Sequence, residues 1–361
     1  MKIGIVTITD LTNYGNRLQN YAMYHLLLHN FQCKTVSLTS NKDRRFCNGN
    51  YKVWLKERIA GVACRFPTWA EKRFGTQITR YENFRKWNKL IPSKIYYECA
   101  MIPAKIEKEF DYFIVGSDQI WNYHFSSQNF ADYFLKFTEP DKKHAVSGSF
   151  GVECIPDEWK DTYIEGLKDF KNISVRENAG QAIIKDLLGI DVPVLIDPTM
   201  MLSREEWLQV SKKPRVDCSK PYILKYYLGD EAEEEKIDNW AKQNGYEVYE
   251  LLNDKIPELY SAGPGEFISL ISNAALVCSD SFHCIVFSII FEKPFLVYAR
   301  RGSENYMTSR LDTLLGKFGF QNRWEHLTSQ QDYLNCDYSL VPDLLKREQQ
   351  YFLDYINSVL K

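Results

Sequence analysis

The chain contains no run approaching the roughly 18 uninterrupted apolar residues of a membrane span. Its longest candidate, within 279–295, is broken by Glu292, Lys293 and Pro294. The opening segment, MKIGIVTITD, has one lysine and a short apolar run but no small-residue cleavage site. It reads as a first strand rather than a secretory signal, so a soluble, cytoplasmic protein is expected. The nine cysteines form no C-x-x-C pair and are odd in number, which speaks against a disulfide framework and for reduced thiols used in packing. With a net charge of −2, no global field draws the chain to nucleic acid, and local clusters must carry any anion chemistry. G-x-G-x-x-G, the P-loop lysine and G-x-S-x-G are all missing. His25 and His29 stand four apart without the glutamate of H-E-x-x-H, so they read as one helix face and no metal is expected. There is no internal repeat and no low-complexity tract.

What is present is an alternation of strands and helices. A chain of 361 residues that is 45% hydrophobic and 14% aromatic suffices for two packed domains. KIGIVTI, a polar loop, RLQNYAMYHLLLH and CKTVSLT read as a βαβ unit, which favours a parallel sheet covered by helices. Residues 41–105, rich in Arg, Lys and aromatics, read as a helical insertion. The alternation resumes through FDYFIVG, KKHAVSGSFG, a helix near 157–170, NISVRE, a helix near 178–188 and a strand at VPVLIDP. It restarts at PYILKYYLG and runs through GPGEFISLISNA, ALVCSD and PFLVYAR. The expectation is an α/β protein of two doubly wound Rossmann-like domains facing a cleft. Residues 1–202 form the first domain, 203–340 the second, and 341–361 a helix packing back on the first. Ligands belong at the strand C-termini around the cleft.

Four segments carry candidate chemistry there. Ser281 is the N-cap candidate of an apolar helix, which sets His283 in its first turn. Helix N–H groups attract anions there, and imidazole adds a charged hydrogen bond or transfers a proton; a packed histidine is the alternative. Cys278 and Cys284 flank it, and both read as packing. The loop Asn13, Tyr14, Gly15, Asn16 offers a second helix entry, where Gly15 permits close approach of a ligand or a left-handed turn; a plain βα turn uses the same residues. GSDQIWN presents Ser117, Asp118, Gln119, Trp121 and Asn122, suited to a sugar whose apolar face the indole covers; a capped turn over a buried Trp is the alternative. Arg176, Arg300 with Arg301, and Arg310 supply planar forks for phosphate or carboxylate. Singly, each also reads as a surface charge or ion-pair partner.

Six segments in order, NYGNRLQNYA, FDYFIVGSDQIWN, ISVRE, IDPTMML, GPGEFISLISNA and SDSFHCIVFSIIFEKPF, resemble the polysaccharide pyruvyl transferase family. The resemblance implies a fold like the GT-B glycosyltransferases and phosphoenolpyruvate as donor, with no further cofactor. It implies as acceptor a hydroxyl pair on a glycan or lipid-linked oligosaccharide of the cell surface or cell wall, with peripheral membrane contact open. The first domain is then the acceptor side and the second the donor side. The family's SxRE arginine falls on Arg176 and its donor-binding histidine on His283. Better-known members carry R-L-H-G at that helix start, where this chain has Ser281, Phe282, His283 and Cys284; one anion contact is lost, with Arg310 or Arg300 as the replacement. The roles that follow are His283 for phosphate binding and proton transfer, Arg176 for donor carboxylate or phosphate, Ser281 for the donor, and Asp118 as general base. Arg176 and His283 are expected to line one interdomain cleft and face shared solvent. A glycosyltransferase using a nucleotide sugar shares these features, and so does a non-catalytic glycan-binding descendant.

Overall fold

Runs of β-branched and aromatic residues build two parallel sheets whose inner strands are buried along nearly their whole length, as strands covered on both faces by helices require, while the edge strands at Ser93–Tyr97 and Glu247–Glu250 are partly exposed. The computed structural model describes residues 1–9, 12–41, 58–97, 101–124, 126–229, 235–301 and 308–361. The first sheet comprises β1 (Lys2–Val6), β2 (Lys34–Asn41), β3 (Ser93–Tyr97), β4 (Tyr112–Val115), β5 (Lys143–Gly148) and β6 (Asn172–Val175), in spatial order β3-β2-β1-β4-β5-β6. The second comprises β7 (Tyr222–Tyr226), β8 (Glu247–Glu250), β9 (Leu276–Ser279) and β10 (Phe295–Val297), in order β10-β9-β7-β8. Every pairing in both is parallel. The winding reverses between β1 and β4 in the first sheet and between β7 and β9 in the second, and such reversals open crevices at the strand C-termini. These are two Rossmann-like halves in a GT-B-like chain.

The described helices of eight residues or more are α1 (Tyr14–His29), α2 (Pro67–Phe74), α3 (Gln77–Asn88), α4 (Asp157–Leu167), α5 (Asn178–Leu188), α6 (Glu235–Gln243), α7 (Pro264–Asn273), α8 (Phe282–Ile290), α9 (Ser309–Phe318) and α10 (Val341–Val359). Asn13 caps α1, its side chain accepting from Asn16 N at 3.2 Å. All nine residues of α8 are buried, seven of them apolar or cysteine and the other two His283 and Ser288, as a helix apolar nearly all round demands. One hydrophobic core holds Ile3, Ile5 and Leu18 of the first half together with Phe267, Val277 and Phe287 of the second, so the halves are joined by shared apolar packing. Another lies under the first sheet and contains Phe113, Trp121 and Phe150. From α10, Tyr355 Oη donates to Ala145 O at 2.8 Å and Gln349 Nε2 to Met200 O at 2.7 Å.

Two expectations need correction. The stretch 41–105 is not only helical, because Ser93–Tyr97 adds β3 to the sheet edge; residues 42–57 and 98–100 of that stretch lie outside the described residues. VPVLIDP makes one isolated bridge, Val194 to Val175, instead of a strand, then turns into a 3-10 helix at Pro198–Met201.

Candidate active site

The site is assembled by loops leaving the C-terminal ends of β1, β4, β6 and β9. Arg176 follows β6, its backbone N donating to Gly148 O at 3.0 Å. The single bridge at Val194 brings Asp197 alongside it. Asp197 Oδ1 accepts from Thr199 N at 2.9 Å and from Thr199 Oγ1 at 2.7 Å. Its Oδ2 accepts from Arg176 Nη1 at 2.5 Å and from Ser117 Oγ at 2.9 Å, and His283 Nε2 stands 3.4 Å away. One carboxylate thus joins residues from the first half to the first turn of α8. Burial works to raise the Asp197 carboxyl, but His283, Arg176 and the Thr199 hydroxyl outweigh it and hold it far below the usual carboxylate range. For Arg176, burial opposes the charge while Asp197, Asp118 and Glu177 more than restore it, so its guanidinium is raised.

Arg310 arrives from the first turn of α9, where the helix dipole disfavours a cation. Its Cζ lies 5.7 Å from the Phe282 ring centroid, and Arg176 Cζ lies 4.3 Å from that centroid. Burial first, and Arg176 second, push the Arg310 guanidinium down to about 9. The Gln119 amide oxygen, turned toward it, accepts from Arg310 Nη1 at 2.8 Å. The four buried nitrogens Arg176 Nε, Arg176 Nη2, Arg310 Nε and His283 Nε2 have no hydrogen-bond partner.

Gly15 takes a different role from the one its sequence suggests. A Cβ on it would lie 2.1 Å from His283 Nδ1, so its small size makes room for the imidazole. Ser281 occupies the N-cap position without a side-chain capping bond; its backbone N donates to Ser279 Oγ at 3.0 Å. Asp118 Oδ1 lies 3.5 Å from Arg176 Nη2 and accepts from Gln119 N at 2.9 Å. Its side chain is 11% exposed, against 0% for Asp197. Asn13 is half-buried and Asn16 buried.

Several expected positions serve other ends. Trp121 is wholly enclosed, its ring tilted against Phe150 and its Nε1 donating to Tyr133 O at 3.3 Å, so no sugar reaches its face. Tyr14 is enclosed too: its ring stacks on Phe267, Oη donates to Ala262 O at 2.7 Å, and Arg80 Nη1 donates to Oη at 2.9 Å. It fastens the two halves together. Ser117 and Gln119 are spent on Asp197 and Arg310 rather than offered to an acceptor. Arg300 lies 3.4 Å from Asp280, whose oxygens accept from Leu228 N and Gly229 N at 2.8 Å each, so it belongs to the second-half loops. Arg176 and His283, at 3% and 6% exposure, do not face shared solvent; they meet in a closed interior. Cys278 and Cys284 are buried, and burial pushes the Cys284 thiol up to about 12. Among the described residues no group of three His, Cys, Asp or Glu side chains is arranged to hold a metal.

Two participants escaped the sequence reading. Asp197 is the centre of the network, and its one signal was an aspartate before proline at the end of an apolar run, within IDPTMML. Glu177, next to Arg176, accepts at Oε1 from Ser149 Oγ at 3.0 Å, Phe150 N at 2.7 Å and Gly151 N at 3.1 Å, and so shapes the loop after β5.

No functionally curated protein matches the chain in sequence. Among solved structures it is similar to the UDP-GlcNAc 2-epimerase of Neisseria meningitidis bound to UDP-GlcNAc, with 10% identity, TM-score 0.47, and 99% of this chain and 100% of that one covered. It is also similar to the Methanocaldococcus jannaschii UDP-GlcNAc 2-epimerase in complex with UDP-GlcNAc and UDP, with 12% identity, TM-score 0.44 and coverage of 96% and 100%. These distant likenesses bear on no activity, and the two-sheet architecture rests on the strand order itself. The sequence model of one family, polysaccharide pyruvyl transferase, matches residues 13–302, a span that takes in Asp118, Arg176, Asp197 and His283. The chain therefore belongs to the polysaccharide pyruvyl transferase family, a family of transferases.

Proposed function

We propose that the protein transfers a pyruvyl group from phosphoenolpyruvate to a hydroxyl pair on a glycan of the cell surface or its precursor, with Arg176, Arg310 and His283 holding the donor. One observation carries this reading: around Phe282 the buried Nε atoms of Arg176 and Arg310 have no partner, and Arg176 Nη2 and His283 Nε2 reach only carboxylate oxygens, at 3.5 and 3.4 Å, without a hydrogen bond. A buried donor left unsatisfied costs about 1–3 kcal/mol. Two guanidiniums near one ring add mutual repulsion. A substrate with a phosphate and a carboxylate offsets both terms, since guanidinium forks bind such groups two oxygens at a time. Arg310 stands in for the arginine that position 281 lacks. Because the cluster is closed, donor entry requires the halves to part locally, and the bound anion favours their return.

In the proposed reaction the donor methylene takes a proton from His283 as one acceptor hydroxyl adds to C2, with Asp118, the most exposed carboxylate of the cluster, receiving the hydroxyl proton. Phosphate then leaves, its charge held by Arg176 and Arg310, and the second hydroxyl closes the cyclic ketal, giving its proton to the His283 imidazole that the first transfer left neutral. Asp197 acts through the others, orienting Arg176 and the imidazole. Acceptor contacts fall to Asp118 and the half-buried Asn13. The test is turnover of phosphoenolpyruvate with a panel of glycan acceptors in heavy water. A product ketal whose methyl carries at least one deuterium is the expected result. Transfer of a sugar from a nucleotide donor, with no pyruvyl mass gained, contradicts it.

A further inference from the structure

The insertion carries a surface unlike the rest of the molecule. Residues 58–63 are helical and α2 begins at Pro67. Beneath them Ala63, Cys64 and Ala70, with Ile78 beside them, form a small separate core. Ile59, Val62, Phe66, Trp69 and Phe74 line a groove of about 760 Å³ and are each between 47% and 69% exposed. Small residues face inward here and large apolar ones outward, the reverse of an ordinary water-facing helix. Arg65, Lys72 and Arg73 are exposed around them. The one carboxylate between 58 and 75, Glu71, is buried, where it accepts from Thr79 Oγ1 at 2.7 Å and Arg215 Nη2 at 3.0 Å. The exposed charge of this stretch is therefore all positive, on a chain whose net charge is −2.

We propose that this face docks the protein on a bilayer containing anionic lipid. The aromatic and aliphatic side chains enter the boundary between headgroups and acyl chains, and Arg65, Lys72 and Arg73 meet lipid phosphates. Charge complementarity favours this occupant over a second copy, because two copies joined through the same face set three cations against three. The contact is peripheral: among the described residues no helix is long and apolar enough to cross a membrane. It is also mechanically linked to the domain junction. α3 follows α2 directly, and from it Arg80 Nη1 donates to Tyr260 O at 3.0 Å and Asn83 Nδ2 to Ser261 O at 2.8 Å. The proposal concerns where the protein works and stands whether or not pyruvyl transfer is its chemistry.

The experiment is co-sedimentation of the full chain with vesicles of phosphatidylcholine alone or mixed with phosphatidylglycerol, at low and raised salt. Binding to the mixed vesicles is expected to be about tenfold tighter or more, and to weaken with salt. K72E/R73E should reduce it to the level of neutral vesicles. F66S/W69S should weaken it about tenfold on both compositions. All four positions are exposed, and unchanged circular dichroism melting certifies each variant; if one pair fails to fold, the other carries the test. Absence of binding to mixed vesicles, binding equal in wild type and both variants, or a dimer that F66S/W69S dissociates would overturn the proposal.

Discussion

Arg323 and Arg176 are equally withdrawn from solvent, at 2% and 3% exposure, yet their surroundings treat them oppositely. Arg323 Nε donates to Phe295 O at 2.8 Å, its Nη1 to Asp332 O and Asn335 O at 2.9 Å each, and its Nη2 to Tyr333 O at 2.9 Å. Every nitrogen is used, all on backbone carbonyls, one at the start of β10 and three in the segment 332–335, so this arginine is a structural staple. Arg176 hydrogen-bonds only through Nη1, to Asp197 and Ser117, leaving Nε without a partner and Nη2 with Asp118 Oδ1 alone at 3.5 Å. Beside it, Arg310 likewise leaves Nε unpartnered. Depth of burial does not distinguish a structural guanidinium from one awaiting a ligand; the count of satisfied donors does.

The sharpest way to break that contrast is to remove the two kinds of arginine separately. Arg310→Met should lower turnover by about 10³-fold or more, because a charge-assisted contact made in the transition state is lost. Its melting temperature should stay level or rise, since a buried like-charge neighbour disappears. Arg323→Met should do the reverse, costing about 3–5 kcal/mol by stranding buried carbonyls, while the folded fraction keeps its donor affinity. Denaturant melts combined with steady-state kinetics read both. If Arg310→Met unfolds the protein and Arg323→Met silences it, the contrast is wrong.

Asp197→Asn tests the hub that joins the two halves. Removing the charge leaves Arg176 and His283 poorly compensated, and a loss of about 3 kcal/mol is expected. The wild-type carboxyl is held below its unfolded value, so its stabilisation is fully present above about pH 4 and is lost as pH falls below that. The stability difference between wild type and Asp197→Asn should therefore shrink on acidification through this window. A difference independent of pH between about 5 and 2 would mean the carboxylate's charge is not what holds the site.

Gly15→Ala examines the same centre sterically. The added methyl overlaps the imidazole, and shifting the ring should cost about 1–3 kcal/mol and about 10²-fold in turnover, with kcat falling more than KM rises. An unaltered kcat would show that the position of His283 is unimportant. Trp121→Phe is expected to be the mildest change, lowering stability by about 1–3 kcal/mol through a lost indole hydrogen bond and a small cavity. Acceptor KM should not move. A raised acceptor KM at unchanged stability would return Trp121 to the sugar site.

Arg176 and His283, which the structure brings together around Asp197, were legible as candidates because an arginine just after one apolar strand and a histidine in the first turn after another are local patterns. Their common partner was not legible. Asp197 precedes a proline and reads as a turn former, and its contacts are made across the fold. The aromatic residues misled for a related reason: Trp121 and Tyr14 sit beside polar groups in sequence, and only tertiary packing shows that one fills a core and the other fastens the halves. Arg323 had no signal at all, since backbone carbonyls leave no trace in residue identity. β3 was hidden by the lysine and exposed isoleucine typical of an edge strand, Lys94 and Ile95, following a helical stretch rich in charge.

The most direct measurement of the central claim is calorimetric titration of phosphoenolpyruvate into wild type, Arg310→Met and Arg323→Met, with UDP as the competing ligand. The account predicts that phosphoenolpyruvate binds the wild type and Arg323→Met alike, that Arg310→Met loses at least about tenfold in affinity while remaining folded, and that UDP does not compete. Binding of UDP in place of phosphoenolpyruvate, or equal affinity in Arg310→Met, would contradict it.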